Sequence, residues 1–185
     1  MVFNGQTELT LEGAFDLAFQ NYCHDETLVA EDICLQILEE YPDQPDTLHL
    51  VGVISHKMGK LGQAADLISR ALEIKSKFPE AHNNLGIVLQ GLENFKDAEE
   101  CFKNSIQLNP NLLEARVNLG NIYIEQKRVD EAINQFIKTL ETNPNFNLAY
   151  YSLGDALSKT YFKKPIKNLQ KPTKTVVPTF LPLVK

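Results

Sequence analysis

Few of the residues able to do chemistry in this chain stand at spacings that would let them do it. His49 and His56 are seven residues apart, so on a helix they share one face and could approach a single metal ion. No third ligand four residues on joins them, and a zinc site needs three or four, so no metal is expected. Cys23, Cys34 and Cys101 are scattered and form no Cys-x-x-Cys pair. Three is an odd number, so a complete disulfide framework is impossible and reduced thiols of a cytoplasmic protein are expected. Glu39 and Glu40, like Glu99 and Glu100, are adjacent carboxylates that point apart on a helix, which leaves a solvated face rather than an acid–base pair. No G-x-S-x-G elbow, phosphate-binding loop or H-E-x-x-H pair occurs. The expectation is a chain that binds, does not catalyse and carries no cofactor.

Charge narrows the partner. The 185 residues carry a formal charge of −6, spread unevenly. From Ala156 to Lys185 there are seven Lys and no Asp or Glu, so residues 1–155 carry −13. An acidic body repels phosphate and disfavours nucleic acid as its ligand. The first residues lack the charged lead and apolar run of a secretory signal, and no apolar stretch approaches the roughly 20 residues that span a bilayer. No membrane association is expected, and the cytoplasm is the simplest location.

The elements that must position these side chains announce themselves through a repeat. Leu85-Gly86, Leu119-Gly120 and Leu153-Gly154 recur every 34 residues; Val51-Gly52 and Leu17-Ala18 extend the series backward. Twelve residues beyond each small residue of the first four stands an alanine: Ala30, Ala64, Ala98 and Ala132. Four further on come Cys34, Ile68, Phe102 and Phe136, and Pro42, Pro110 and Pro144 close three of the units. Ala98, Phe102, Ser105 and Ile106 fall at i, i+4, i+7 and i+8, one face of a helix; Ala132 to Leu140 and Ala64 to Leu72 repeat this. A glycine inside a helix costs about 1 kcal/mol against alanine, so its recurrence points to a partner helix pressing close. Gly59, Glu93 and Lys127 lie where each hairpin turns, and the X-Pro steps bias Tyr41, Asn109 and Asn143 away from helical torsions. Helical hairpins of this kind bury their apolar faces only by stacking, which bends the array into an extended concave surface.

The phased residues match the pattern W-x2-L-G-x2-Y…A-x3-F…P, and over residues 11–160 the chain resembles the tetratricopeptide repeat (TPR) family. The opening aromatic is replaced by Ala14, Leu48, His82 and Arg116, and only Tyr150 fits. The resemblance implies an all-α fold, a right-handed superhelical solenoid of antiparallel helix hairpins. Its units would run 11–44, 45–78, 79–112 and 113–146, with a half-unit at 147–160, behind a lead of residues 1–10. The Asn-Leu-Gly and Asn-Pro phrasing is also similar to the repeat region of O-linked N-acetylglucosamine transferase-type proteins.

Further implications follow from the family. The first helix of each unit would line the concave side and meet a protein or peptide partner. Those positions are His49, His56, Asn83, Asn84, Ile87, Gln90, Asn118, Asn121, Glu125, Tyr151 and Asp155, with Asp46, Val53, Glu80, Val117 and Ser152 beside them. Asn84 and Asn118 stand one place before Leu-Gly in consecutive units, and an asparagine row can pair with a peptide backbone whatever its side chains. Leu50 and Ser152 interrupt that row. Chaperone adaptors of the family hold a terminal carboxylate with Lys and Arg, whereas His49, Asn83, Val117, Tyr151, Val53, Ile87 and Asn121 occupy the matching places here. That partner class is not expected.

Two other classes of function stay open: the recognition arm of a larger enzyme such as a glycosyltransferase, and a scaffold that self-associates through exposed repeat edges. Beyond Lys159 the phase is lost. Residues 161–185 form a basic, proline-broken tail in which a short helix could start at Pro165, and residues 173–185 are expected to be extended or disordered. Such an apolar end suits a tail folded over the last hydrophobic edge, a fragment of a longer chain, or an altered reading frame. A truncated or altered end is the favoured expectation, because terminal repeats normally carry a polar outer face.

Overall fold

The computed structural model describes residues 2–3 and 7–161; the expectations for the tail lie outside the described residues. A short antiparallel ribbon comes first, β1 (Val2–Phe3) against β2 (Thr7–Glu8), with Val2 opposite Glu8. It was not foreseen for the lead. Nine α-helices follow among the described residues. They are α1 (Leu11–Cys23), α2 (Thr27–Glu40), α3 (Pro45–Lys57), α4 (Leu61–Ile74), α5 (Pro79–Gly91), α6 (Phe95–Leu108), α7 (Leu113–Glu125), α8 (Val129–Thr142) and α9 (Asn147–Tyr161).

Local chemistry sets the helix ends. The Thr10 hydroxyl accepts from the Gly13 amide at 3.1 Å and caps α1. Pro45 and Pro79 open α3 and α5, where a missing N–H costs nothing. Within each hairpin one residue turns into the left-handed region: Asp25 (φ 68°), Gly59 (78°), Glu93 (59°) and Lys127 (62°). These are the turn positions expected at Gly59, Glu93 and Lys127, and only the glycine adopts the torsion without steric cost. Between hairpins the backbone leaves the helical region at Tyr41 (φ −126°), Asn109 (−138°) and Asn143 (−138°), each followed by proline. Lys75 does the same (φ −125°) ahead of Ser76, so proline reinforces this break without being required for it. The Asn109 and Asn143 side chains then accept from the amides of Asn111 and Asn145 at 3.1 and 3.0 Å, closing local turns.

Packing follows the repeat. Ala30, Ala64, Ala98 and Ala132 are fully buried, as are Cys34, Ile68, Phe102 and Phe136. A methyl built on Gly86 would lie 2.6 Å from Cε1 of Phe102, and one on Gly52 would lie 2.5 Å from Cγ1 of Ile68. Gly120 meets the ring of Phe136 at still closer range. The partner pressing on each of these glycines is thus chiefly the large side chain sixteen residues on rather than the alanine. Glu99 on α6 accepts from Lys103 of its own helix at 2.6 Å and, from the next unit, from Gln126 at 3.1 Å and Arg128 at 2.8 Å, which ties α6 to the turn between α7 and α8. Burial alone would push the Glu99 carboxyl up; these three donors outweigh it and hold the group below its ordinary value.

Neighbouring odd-numbered helices, α1 with α3 and onward to α7 with α9, approach within 8 Å between Cα atoms, whereas among the described residues no two even-numbered helices come so close. The odd helices therefore form the inner wall of a curved stack and the even helices its splayed outer wall.

Gly120→Ala tests the close contact. Overpacking a buried ring costs about 1–3 kcal/mol, which the better helix propensity of alanine, about 1 kcal/mol, only partly offsets. The melting temperature should fall by roughly 5 °C for a chain of this size. Gly120→Leu should unfold the array. Among the described residues nothing lies within 4 Å of a methyl built on Gly154, so Gly154→Ala should leave melting unchanged or raise it. Equal effects at Gly120 and Gly154 would contradict the packing described.

Candidate binding groove

Every residue expected to meet a partner stands on the inner wall, on α3, α5, α7 or α9. They do not form one uniform surface. His49 and Asn84 border a cavity of about 480 Å³ at the N-terminal end, together with Phe15, Phe19, Tyr22, Asp46, Leu50, Val53, Phe78 and Glu80. His56 and Ile87 line a smaller hollow of about 180 Å³ beside it, also with Asn84. Gln90, Asn121, Glu125, Tyr151 and Asp155 surround a polar hollow of about 340 Å³ at the other end, joined by Lys159, whose ammonium pairs with Asp155 at 2.6 Å. His49 and His56 thus border different hollows. Val117 does not face a partner: it is fully buried in the core, because the inner wall at α7 is covered by its neighbours.

Asn83 and Asn118 link the units instead of lining a hollow. Asn118 Nδ2 on α7 donates to Asn83 Oδ1 on α5 at 3.0 Å, and Asn84 Nδ2 donates to His49 Nε2 on α3 at 2.9 Å. A longer contact of 3.5 Å, from Asn83 Nδ2 to Asn84 Oδ1, joins the two. The result is a polar line across three successive inner helices, in which each of the two bonds between helices is donated toward the preceding unit. Asn84 and Asn118 therefore do not present equivalent free amides, as a simple asparagine row would require. Asn83 is nearly buried, and burial of an amide is tolerated only when it is paired in this way.

His49 anchors that line. Its ring stands edge-on to Phe78, with centroids 4.7 Å apart. Burial pulls its pKa down to about 4, with Asp46 opposing and Lys75 adding to the effect. The ring is neutral at pH 7, and since Nε2 accepts from Asn84, Nδ1 carries the proton. The thiols stay protonated as well: burial raises Cys34 to about 12 and Cys101 to about 11.

The sequence reasoning missed the contribution of α1. Phe15, Phe19 and Tyr22 stand 34 residues before His49, Val53 and His56, so the repeat offset itself would have located them. Phe78 carried no such signal. It is the last residue before α5, and the fold of the inter-hairpin segment swings its ring onto the inner wall.

Tetratricopeptide repeat models match residues 79–112 and 101–134, and a TPR repeat model matches residues 120–160. Residues 79–160 are thus tetratricopeptide repeats, and the same pairing of helices every 34 residues around a buried small and a buried larger position extends through α1 to α4. The sequence gives no match among curated proteins. Among solved structures it is similar to MamA, with a TM-score of 0.70 and 22% identity over 77% of this chain and 84% of that one. It is also similar to YrrB, described as a TPR protein with an unusual peptide-binding site, with a TM-score of 0.69 and 22% identity over 84% and 80% of the two chains. A third is the first TPR of Spaghetti (RPAP3) bound to the HSP90 peptide SRMEEVD, with a TM-score of 0.61 and 21% identity over 63% and 93%. Such identities speak for the shared fold alone. Among the described residues no helix is long and apolar enough to cross a membrane.

The His49 environment makes stability pH-dependent. The folded value near 4 lies below the unfolded value of 6.5, so between them the unfolded chain holds a proton that the folded chain lacks. Stability is complete above pH 6.5 and falls as pH drops toward 4, by up to about 3 kcal/mol from this group. Urea unfolding of wild type and His49→Gln at pH 7 and pH 4.5 checks this: the variant should lose less on acidification. Identical losses would remove His49 as the cause.

Proposed function

We propose that the chain holds an extended segment of a partner protein along the inner wall formed by α1, α3, α5, α7 and α9. The observation that carries this reading is the succession of three hollows along one concave face, each bordered by side chains from adjacent units. Extended peptides suit such a face because successive pockets can each take a side chain while polar groups between them meet the peptide backbone. Partner-facing residues on this reading are His49, His56, Ile87, Gln90, Asn121, Glu125, Tyr151 and Asp155, while Asn83, Asn84 and Asn118 fix the wall between units. The units divide at 11–44, 45–78, 79–112, 113–146 and 147–160. Affinity from any one hollow is modest, and several engaged together raise it by effective concentration.

The same reading makes the chain a non-catalytic module. His49 is held neutral by burial, and the structure gives its ring an amide partner rather than a carboxylate or nucleophile, unlike an activated base. Three thiols, two with strongly raised pKa values, suit a reducing cytoplasmic setting. The acidic body disfavours nucleic acid. The neighbour bound to SRMEEVD carries an acidic peptide, whereas Asp46, Glu80, Glu125 and Asp155 border this groove, so the two are expected to differ in the ligands they take.

Affinity capture from a lysate would compare wild type with Asn121→Arg/Glu125→Arg on the inner wall and Lys138→Glu on the outer wall. The inner variant should lose most captured partners, and the outer variant should keep them. Retention by both, with helicity intact, would exclude the inner wall as the binding face.

A further inference from the structure

The N-terminal hollow differs from the others in chemistry. Four of its rings come from α1 and the residue leading into α5: Phe15, Tyr22 and Phe78 are partly exposed, and Phe19 is 50% exposed. Leu50 and Val53 add aliphatic floor. At about 480 Å³ the space exceeds any single side chain, so an aromatic or long aliphatic group could enter with part of its backbone. An apolar concavity left open on a soluble surface is a site for a partner's apolar group.

The rim specifies a charge. Two rings of the hollow already carry cations from this chain. The Lys75 ammonium lies 4.2 Å from the Phe78 ring centroid while pairing with Asp46 at 2.8 Å. The Lys57 ammonium lies 5.3 Å from the Tyr22 ring while pairing with Asp25. Aromatic faces beside carboxylates are the arrangement that attracts ammonium and guanidinium groups. Glu80, exposed on the same rim, has no ion pair among the described residues. With −13 over residues 1–155, the long-range field also draws basic segments.

We infer that this hollow is the specificity pocket of the groove: it takes a bulky apolar side chain, Phe, Tyr, Leu or Met, of an extended peptide that carries a Lys or Arg within two positions. The apolar group displaces water from between Phe15, Phe19 and Phe78, and the adjacent cation meets Glu80. The inference rests on the groove reading above and adds to it the chemistry of the ligand. It also assigns α1 a recognition role, because without Phe15 and Phe19 the hollow has no outer wall.

A displayed library of random dodecapeptides selected on the full chain tests it, with winners measured by fluorescence anisotropy. Selected peptides should share an apolar residue beside Lys or Arg. Phe19→Glu should weaken them about tenfold or more, as loss of a central anchor does. Glu80→Lys should weaken them several-fold, with the difference shrinking in 0.5 M salt as screening predicts. Both substituted residues are exposed, and circular dichroism confirms that the variants fold. Acidic winners, or winners indifferent to both variants, would overturn the pocket. If such winners still lose affinity in Asn121→Arg/Glu125→Arg, the groove survives and only the pocket falls; if no peptide is enriched, both fall. A synthetic peptide of residues 171–185 serves as competitor. Displacement of the winners by it, together with concentration-dependent association of the chain in light scattering, would make a second copy the occupant and overturn the proposal.

Discussion

A backbone without a side chain, lying against a large buried one, sets the spacing of this molecule. Gly52 against Ile68, Gly86 against Phe102 and Gly120 against Phe136 are the same contact made three times, always sixteen residues apart. It lets two antiparallel helices approach closely enough for the alanines at 64, 98 and 132 to be wholly buried. The first hairpin keeps the volume constant by another division: Ala18 replaces the glycine and the smaller Cys34 replaces the ring, both fully buried in one cluster. A core packed to crystal-like density permits such an exchange but not an unbalanced one.

From that spacing comes the curvature. Because the odd helices lie closer to one another than the even helices do, the two walls differ in length and the stack must bend. Bending brings side chains from successive units to one face at regular intervals, where Asn118 reaches Asn83 and Asn84 reaches His49. These bonds run between units, so they stiffen the inner wall in the direction along which a bound segment would lie. On the outer side the Glu99 cluster does the corresponding work with charge.

The departures from regularity are where exposed rings and hollows gather. At the N-terminal end Phe19 of α1 stays exposed beside Phe15 and Tyr22. At the other end Tyr151 is 79% exposed, and among the described residues no side chain presses on Gly154 as Ile68, Phe102 and Phe136 press on its counterparts. A repeat with identical units would offer one subsite several times over; this one offers an aromatic hollow at one end and a polar one at the other.

The all-α stacked fold was legible from the phased Leu-Gly, Ala and Phe positions, because a periodicity set by helix contact leaves its mark on every turn. The turn residues Glu93 and Lys127 were legible too, by their place in the period rather than by their type. The inner-wall helices could be named in advance, but not what their side chains do. Val117 is buried rather than presented, Asn84 is engaged by a histidine 35 residues earlier, and Phe78 is swung into the groove by a loop. Local patterns encode which face of a helix is apolar. Only the superhelical approach of neighbouring units determines which polar groups find each other and which rings are left uncovered, because those distances depend on curvature accumulated over the whole stack.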